Sequence, residues 1–188
     1  LVPDGPQNLL DALAVVSSAG ASGVTVVCAG AIYAAEDVQK NHPYRLNAFS
    51  AGDAGPIGFV EQGRLRLLRG WPRGQALATV AMVAGLADAA WPRVEIVMSY
   101  AGADGTVVRA LLKAGVKGLV VAATGNGTVH QDLEAALLLA MQQGVQVLRA
   151  TRCAEGRLLP SANDALPAAP GLTPVKARIA LMLALMQG

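Results

Sequence analysis

Two stretches of this chain gather side chains that could do chemistry. The first, residues 34–49, holds Asp37, Lys40, Asn41, His42, Tyr44 and Arg45 between apolar neighbours. Loops at strand ends commonly carry function, although a lone lysine is usually a solvated surface charge. The second is Thr124-Gly125-Asn126-Gly127-Thr128, leading to His130. It follows the apolar run 119–123 and precedes a segment rich in Leu, Ala, Glu and Gln. Glycine reaches positive φ and permits close backbone approach, so this turn could offer N–H groups to a ligand beside a helix N-terminus. Ligands of open α/β sheets bind outside the carboxyl ends of strands, which makes 124–130 the first candidate site. Glycine at such corners serves geometry alone in most cases. The turn is not a dinucleotide fingerprint, because His130 stands at the third glycine position.

Much other chemistry is excluded. The chain has two histidines, His42 and His130, and two distant cysteines, Cys28 and Cys153. That is too few for a structural zinc site or a disulfide framework. No Gly-x-Ser-x-Gly elbow, phosphate loop or His-Glu-x-x-His occurs. No metal is expected. The net charge is +2, basic residues form no long cluster and aromatics are 4% of the chain, which argues against nucleic-acid binding. Gly and charged residues interrupt every apolar run before it reaches a membrane span. The opening Pro3-Asp4-Gly5-Pro6 reads as the middle of a loop, with no signal peptide.

The elements that would position these residues follow from periodicity. At 53% hydrophobic over 188 residues, the chain can fill one or two small cores. Asn8, Leu9, Leu10, Leu13, Ala14 and Val16 recur at helical spacing, and Gly20 is the expected stop. Residues 23–28 read as a strand, with 29–33 continuing the chain past its end. Residues 57–60 and 64–68 read as a hairpin around Gln62-Gly63. Residues 71–91, between two Trp-Pro pairs, read as an inter-domain linker with a helix over 75–90. Beyond Arg93 the pattern alternates: strand 94–100, helix 106–114, strand 118–123, helix 131–143, strand 145–150. This βαβαβ series predicts a parallel sheet with covered faces. A loop over 153–171 leads to a last helix, with Thr173 as N-cap and Pro174 at its first position.

Five motifs, in order, resemble the bacterial-type L-asparaginase family, close to its glutaminase-asparaginase branch. Asp4-Gly5-Pro6-x-Asn8-Leu9 resembles its Asp-Gly-Pro-x-Asn-Leu. Asp37-Val38-Gln39-Lys40 resembles Asp-Val-Thr-Lys, and Gly55-Pro56-Ile57-Gly58 resembles Gly-Pro-Leu-Gly. The strand at 120–127 ends in the family's Gly-Asn-Gly, and Thr173-Pro174-Val175-Lys176-Ala177-Arg178 resembles Asn-Pro-Gln-Lys-Ala-Arg. The resemblance implies an α/β fold of parallel-sheet sandwich domains. Residues 1–69 would be the second half of the N-terminal domain, 70–92 a linker and 93–188 the smaller C-terminal domain.

The resemblance also implies chemistry. The family hydrolyses L-asparagine, and sometimes L-glutamine, to the acid and ammonia with threonine nucleophiles in Thr-Gly-Gly-Thr and Thr-Asp-Thr motifs. Neither motif occurs in these 188 residues. The family's lysine would be Lys40, a catalytic group, since a desolvated lysine can act as a base toward a hydroxyl. Substrate-binding roles fall to Asn126, to Thr128, where the family has a second asparagine, and to Asp164, a counterpart of an acidic residue before the last helix. A homo-oligomer, dimer or tetramer, with sites between subunits is implied. No cofactor is implied. A cytoplasmic location is expected, with the periplasm as alternative, and no membrane or nucleic-acid partner. The chain alone is expected to be inactive until the nucleophile-bearing segment is supplied. Glutaminase-asparaginase activity and a non-catalytic relative that binds an amino acid or a partner stand as alternatives. Residues 93–188 are expected to fold as a unit, and 1–69 to need a complementing chain.

Overall fold

The computed structural model describes residues 3–74, 76–87, 91–169 and 171–187. They fall into two compact units, Leu1–Gln75 and Ala76–Gly188.

The first unit opens with helix α1 (Gly5–Val16), which has Pro6 in its first turn, where a missing N–H costs nothing. Strands β1 (Thr25–Cys28), β2 (Ala31–Ala34), β5 (Gly58–Glu61) and β6 (Arg64–Leu67) form one sheet in the order β1-β2-β5-β6. Between them, β3 (Gln39–Lys40) and β4 (Phe49–Ser50) make a separate two-stranded ladder. Every pairing described in this unit is antiparallel, so the expected parallel arrangement belongs to the second unit alone. Besides the short β3 and β4, the sequence reading passed over strand β2. Its hairpin with β1 turns on Ala29 and Gly30, at φ 51° and 75°, a two-residue geometry that matches strand twist. Alanine is poorly suited to positive φ, and the turn lacks the Asn-Gly signature. A tertiary contact holds it: the Ala29 N–H donates to Asn8 Oδ1 at 2.9 Å. The expected hairpin at Gln62-Gly63 is present, with φ of 51° and 73°. The core gathers Val15, Ile32, Ala34, Ile57 and Val60. Leu9, Leu10, Leu13 and Val16 of α1 remain exposed.

In the second unit, α2 (Val80–Val83) is followed by β7 (Val94–Met98), α3 (Thr106–Lys113), β8 (Gly118–Ala123), α4 (Gln131–Gln142), β9 (Gln146–Thr151) and α5 (Pro174–Ala184). The three strands are parallel in the order β7-β8-β9, as the βαβαβ pattern predicts. All six residues of β8 are buried, because both faces are covered. Leu119 and Val121 pack with Val108, Leu133 and Leu137. Val120 packs on the other side with Ala177 and Leu181 of α5. Thr173 Oγ1 caps α5 by accepting the Lys176 N–H at 3.4 Å. The helix expected over 75–90 is only the single turn of α2, which stops before Gly85 at φ 79°, a left-handed glycine that ends helices. Residues 75 and 88–90 of that expectation lie outside the described residues. Among the described residues no helix is long and apolar enough to cross a membrane.

Candidate functional site

Lys40 sits in the first unit, at the end of β3, paired with Phe49 of β4. Its Nζ lies 5.9 Å from the centre of the Phe49 ring, within range of a cation–π attraction. The ladder continues through the Asn41 N–H, which donates to Ala48 O at 2.8 Å. Lys40 itself is exposed. Asp37, three residues before it, is tied to Arg69 at 3.2 Å. His42 is a turn residue here, with Nδ1 accepting the N–H groups of Tyr44 and Arg45 at 3.0 and 3.1 Å. Cys28 ends β1 nearby, with Sγ 3.5 Å from Leu46 O. Burial pushes its thiol pKa up and the Asp4 carboxylate adds to this, while the positive charge of Lys40 opposes both. The Tyr33 hydroxyl is raised as well, chiefly by burial and then by Cys28. A groove of about 320 Å³ lies between α1 and β1 and is lined by Val15, Val16, Thr25, Val27 and Trp71 among others, with no titratable side chain.

Asn126, Thr128 and Asp164 lie in the second unit, and the fold draws their loops together. The turn 124–128 closes on itself: Thr124 O accepts the N–H groups of Gly127 and Thr128 at 2.9 and 2.8 Å, and Thr124 N–H donates to Thr128 O at 3.1 Å. These inner amides therefore serve the turn, as glycine-corner geometry suggests, rather than pointing at a ligand. Asn126 Oδ1 accepts the Leu159 N–H at 2.9 Å. Thr128 has its side chain at the surface. His130 ends the stretch as the N-cap of α4, with Nδ1 accepting the Asp132 N–H at 3.3 Å. Its own N–H donates to the buried Ser99 Oγ at 3.0 Å.

Two residues of β9 complete this arrangement, and neither was singled out from sequence. Thr151 Oγ1 donates to Gly125 O at 2.7 Å. Arg149, only 8% exposed, donates through Nη1 to Gly127 O at 3.1 Å and through Nη2 to Asp164 Oδ2 at 2.5 Å. The same Asp164 oxygen accepts the Ser161 N–H at 2.8 Å. These bonds hold the Asp164 carboxyl below its ordinary range, the Ser161 amide first and Arg149 second. The signal was available: a lone arginine inside the apolar run 145–150 must either surface or find a counter-charge. Among the described residues no cluster of His, Cys, Asp or Glu could hold a metal ion.

Comparison with known proteins locates these features in a family. Residues 1–73 match the family model for the N-terminal asparaginase domain, and residues 93–188 match that for the glutaminase/asparaginase C-terminal domain. The chain is 32% identical to L-asparaginase 2 of Escherichia coli K12 across 98% of its own length and 54% of that protein's. It is 33% identical to a glutaminase-asparaginase of Acinetobacter glutaminasificans, across 98% and 58%. A crystal structure named as a "probable cytoplasmic L-asparaginase" from Campylobacter jejuni superposes with a TM-score of 0.87 at 31% identity, covering 98% of this chain and 60% of the other. The chain spans about half the length of the curated relatives it matches.

Proposed function

The chain belongs to the glutaminase/asparaginase family, and on that premise we propose that the protein hydrolyses the side-chain amide of L-asparagine to L-aspartate and ammonia. The observation that carries this reading is the match to both domain models in family order, at residues 1–73 and 93–188. We take residues 1–69 as the second half of the N-terminal domain, 70–92 as the linker and 93–188 as the C-terminal domain. In amide hydrolysis of this kind a hydroxyl attacks the amide carbon, the C–N bond breaks with protonation of the nitrogen, and water releases the acid. Lys40 takes the proton-transfer role at the attacking hydroxyl. A lysine serves as a base only as its neutral amine, the form that desolvation favours, so the role calls for a segment, bearing the threonine nucleophiles, that covers the exposed Lys40. Asn126, Thr128 and Asp164 take the substrate-binding roles, and the working assembly is a homo-oligomer, dimer or tetramer. A cytoplasmic location goes with this reading. The name of the Campylobacter neighbour supports it, while a Haemophilus influenzae relative named as periplasmic keeps the other compartment in view.

L-Glutamine is the second substrate to test, because glutaminase-asparaginases match the chain as well as asparaginases do. The experiment is ammonia release from each amino acid by protein expressed from the complete coding sequence. Turnover of asparagine above glutamine, lost in Lys40→Met, is the expected result. Ammonia release from neither substrate above the Lys40→Met background would remove the reading. Sedimentation of the same preparation reports the oligomer.

A further inference from the structure

We propose that Arg149 is a positioning residue: one buried guanidinium sets both the 124–128 turn and the 161–164 loop, and so fixes where Asn126 and Asp164 stand toward the amide substrate. The last clause rests on the amidohydrolase reading above; the first does not.

Arg149 lies inside β9 between Leu148 and Ala150, with its side chain 10% exposed. Removing such a charge from water is unfavourable unless its hydrogen bonds are met, and an apolar side chain of similar volume often serves stability as well. Stability alone therefore does not call for arginine here. The guanidinium does what an apolar side chain cannot. Nη1 ties the Gly127 carbonyl, 22 residues back in the chain, and Nη2 ties Asp164, 15 residues ahead. Asp164 in turn holds the Ser161 amide through the same oxygen. The planar fork with two aimed donors fixes both partners at once, which the single ammonium of lysine does not.

Further observations make Arg149 the common post. Its backbone joins the next segment, with its N–H donating to Pro167 O at 2.7 Å and its O accepting the Ala169 N–H at 2.8 Å. Its stem fills the space beside Gly127: a Cβ there would lie 3.0 Å from Arg149 Cδ, Nε and Cζ. Gly127 also has φ 86°, so glycine at this position answers to the arginine as well as to the turn. Asn126, next to Gly127, bonds Leu159 from the far side. The turn and the 158–164 segment are thus linked twice, once through Asn126 and once through Arg149. The Nε of Arg149 is buried with no partner among the described residues, so the Nη groups carry its hydrogen bonding.

The test uses protein from the complete coding sequence, as wild type, Arg149→Met, Arg149→Lys and Asp164→Asn. Hydrogen exchange reads the positioning directly. In Arg149→Met the amides of Gly127, Thr128 and Ser161 should exchange at least about 10-fold faster while 119–122 keep their protection. Unchanged exchange at the turn, or an equal rise across β8 and β9, would overturn the proposal, the second because it marks a merely structural role. In the kinetic arm, kcat/KM for asparagine should fall on the order of 10²-fold in Arg149→Met, mainly through KM, as misplaced substrate contacts predict. Asp164→Asn, which keeps an acceptor oxygen, should lie between it and wild type. A wild-type KM in Arg149→Lys would overturn the fork argument. If the wild-type protein releases no ammonia from either substrate, the amidohydrolase reading fails, and the exchange arm alone then decides whether Arg149 positions the two loops.

Discussion

The two units solve the same packing problem to different degrees. In the second, the central strand β8 has a parallel neighbour on each edge and helices on each face, and all six of its residues are buried. In the first, β1 has β2 on one edge and no partner on the other among the described residues, and only Cys28 of its four residues is buried. Its helix α1 places Val15 in the core yet leaves Leu9, Leu10, Leu13 and Val16 in water. Apolar periodicity thus reports that a face can be covered, not that it is covered within this chain. The candidate site residues follow the same division. Lys40 is held by a two-residue ladder and one ring, whereas Asp164 and the Gly127 carbonyl beside Asn126 are fastened by a buried guanidinium.

The largest effect is expected where chemistry depends on the looser unit. In protein from the complete coding sequence, Lys40→Met should lower kcat by about 10²–10⁴, the usual loss for a positioned proton-transfer group. A near-normal kcat would remove Lys40 from the mechanism.

Packing comes next. Leu137, fully buried in the second unit, should cost about 2–5 kcal/mol when cut to alanine. Leu13, 51% exposed on α1, should change stability by no more than about 0.5 kcal/mol in the 188-residue chain. Urea unfolding of both variants measures the contrast. A Leu13 cost equal to that of Leu137 would show that the α1 face is covered. Hydrogen exchange gives a gentler version. Residues 119–122 of β8 should be protected at least about 10-fold more than 25–28 of β1 in the 188-residue chain. Equal protection would make the first unit as self-sufficient as the second.

Smaller still is the pH effect at Asp164. Its folded pKa is depressed, so the contact contributes fully above the unfolded carboxylate value and is lost as pH falls through the folded one. Exchange at the Ser161 amide should therefore stay slow, after correction for intrinsic rates, from neutral pH down to the ordinary carboxylate range, and quicken only below it. The smallest effect belongs to Glu61, whose carboxyl is also depressed, first by its hydrogen bond to Arg66. Both side chains of that pair are more than half exposed, and such pairs contribute little. Glu61→Gln should leave the melting temperature unchanged within error.

What could be read from the sequence was local. The spacing of Val, Leu and Ala marked β7 to β9 and the helices between them, Thr173-Pro174 marked the start of α5, and Gln62-Gly63 marked a hairpin. Each of these is encoded within about one turn or one strand, where periodicity and capping act. Order of motifs then pointed to the family, and to Lys40, Asn126, Thr128 and Asp164 as residues to watch. The β1–β2 hairpin was not legible, because Ala29 takes positive φ with its amide held by Asn8, a residue 21 positions away. The histidines looked like functional groups in sequence, yet His42 and His130 spend Nδ1 on backbone amides of their own turns. Only the tertiary structure decided that Arg149 reaches Gly127 and Asp164. That contact exists because parallel pairing sets Val121 of β8 beside Arg149 of β9, and a buried guanidinium takes its bonds from the nearest oxygens that pairing brings within reach, wherever they lie in the chain.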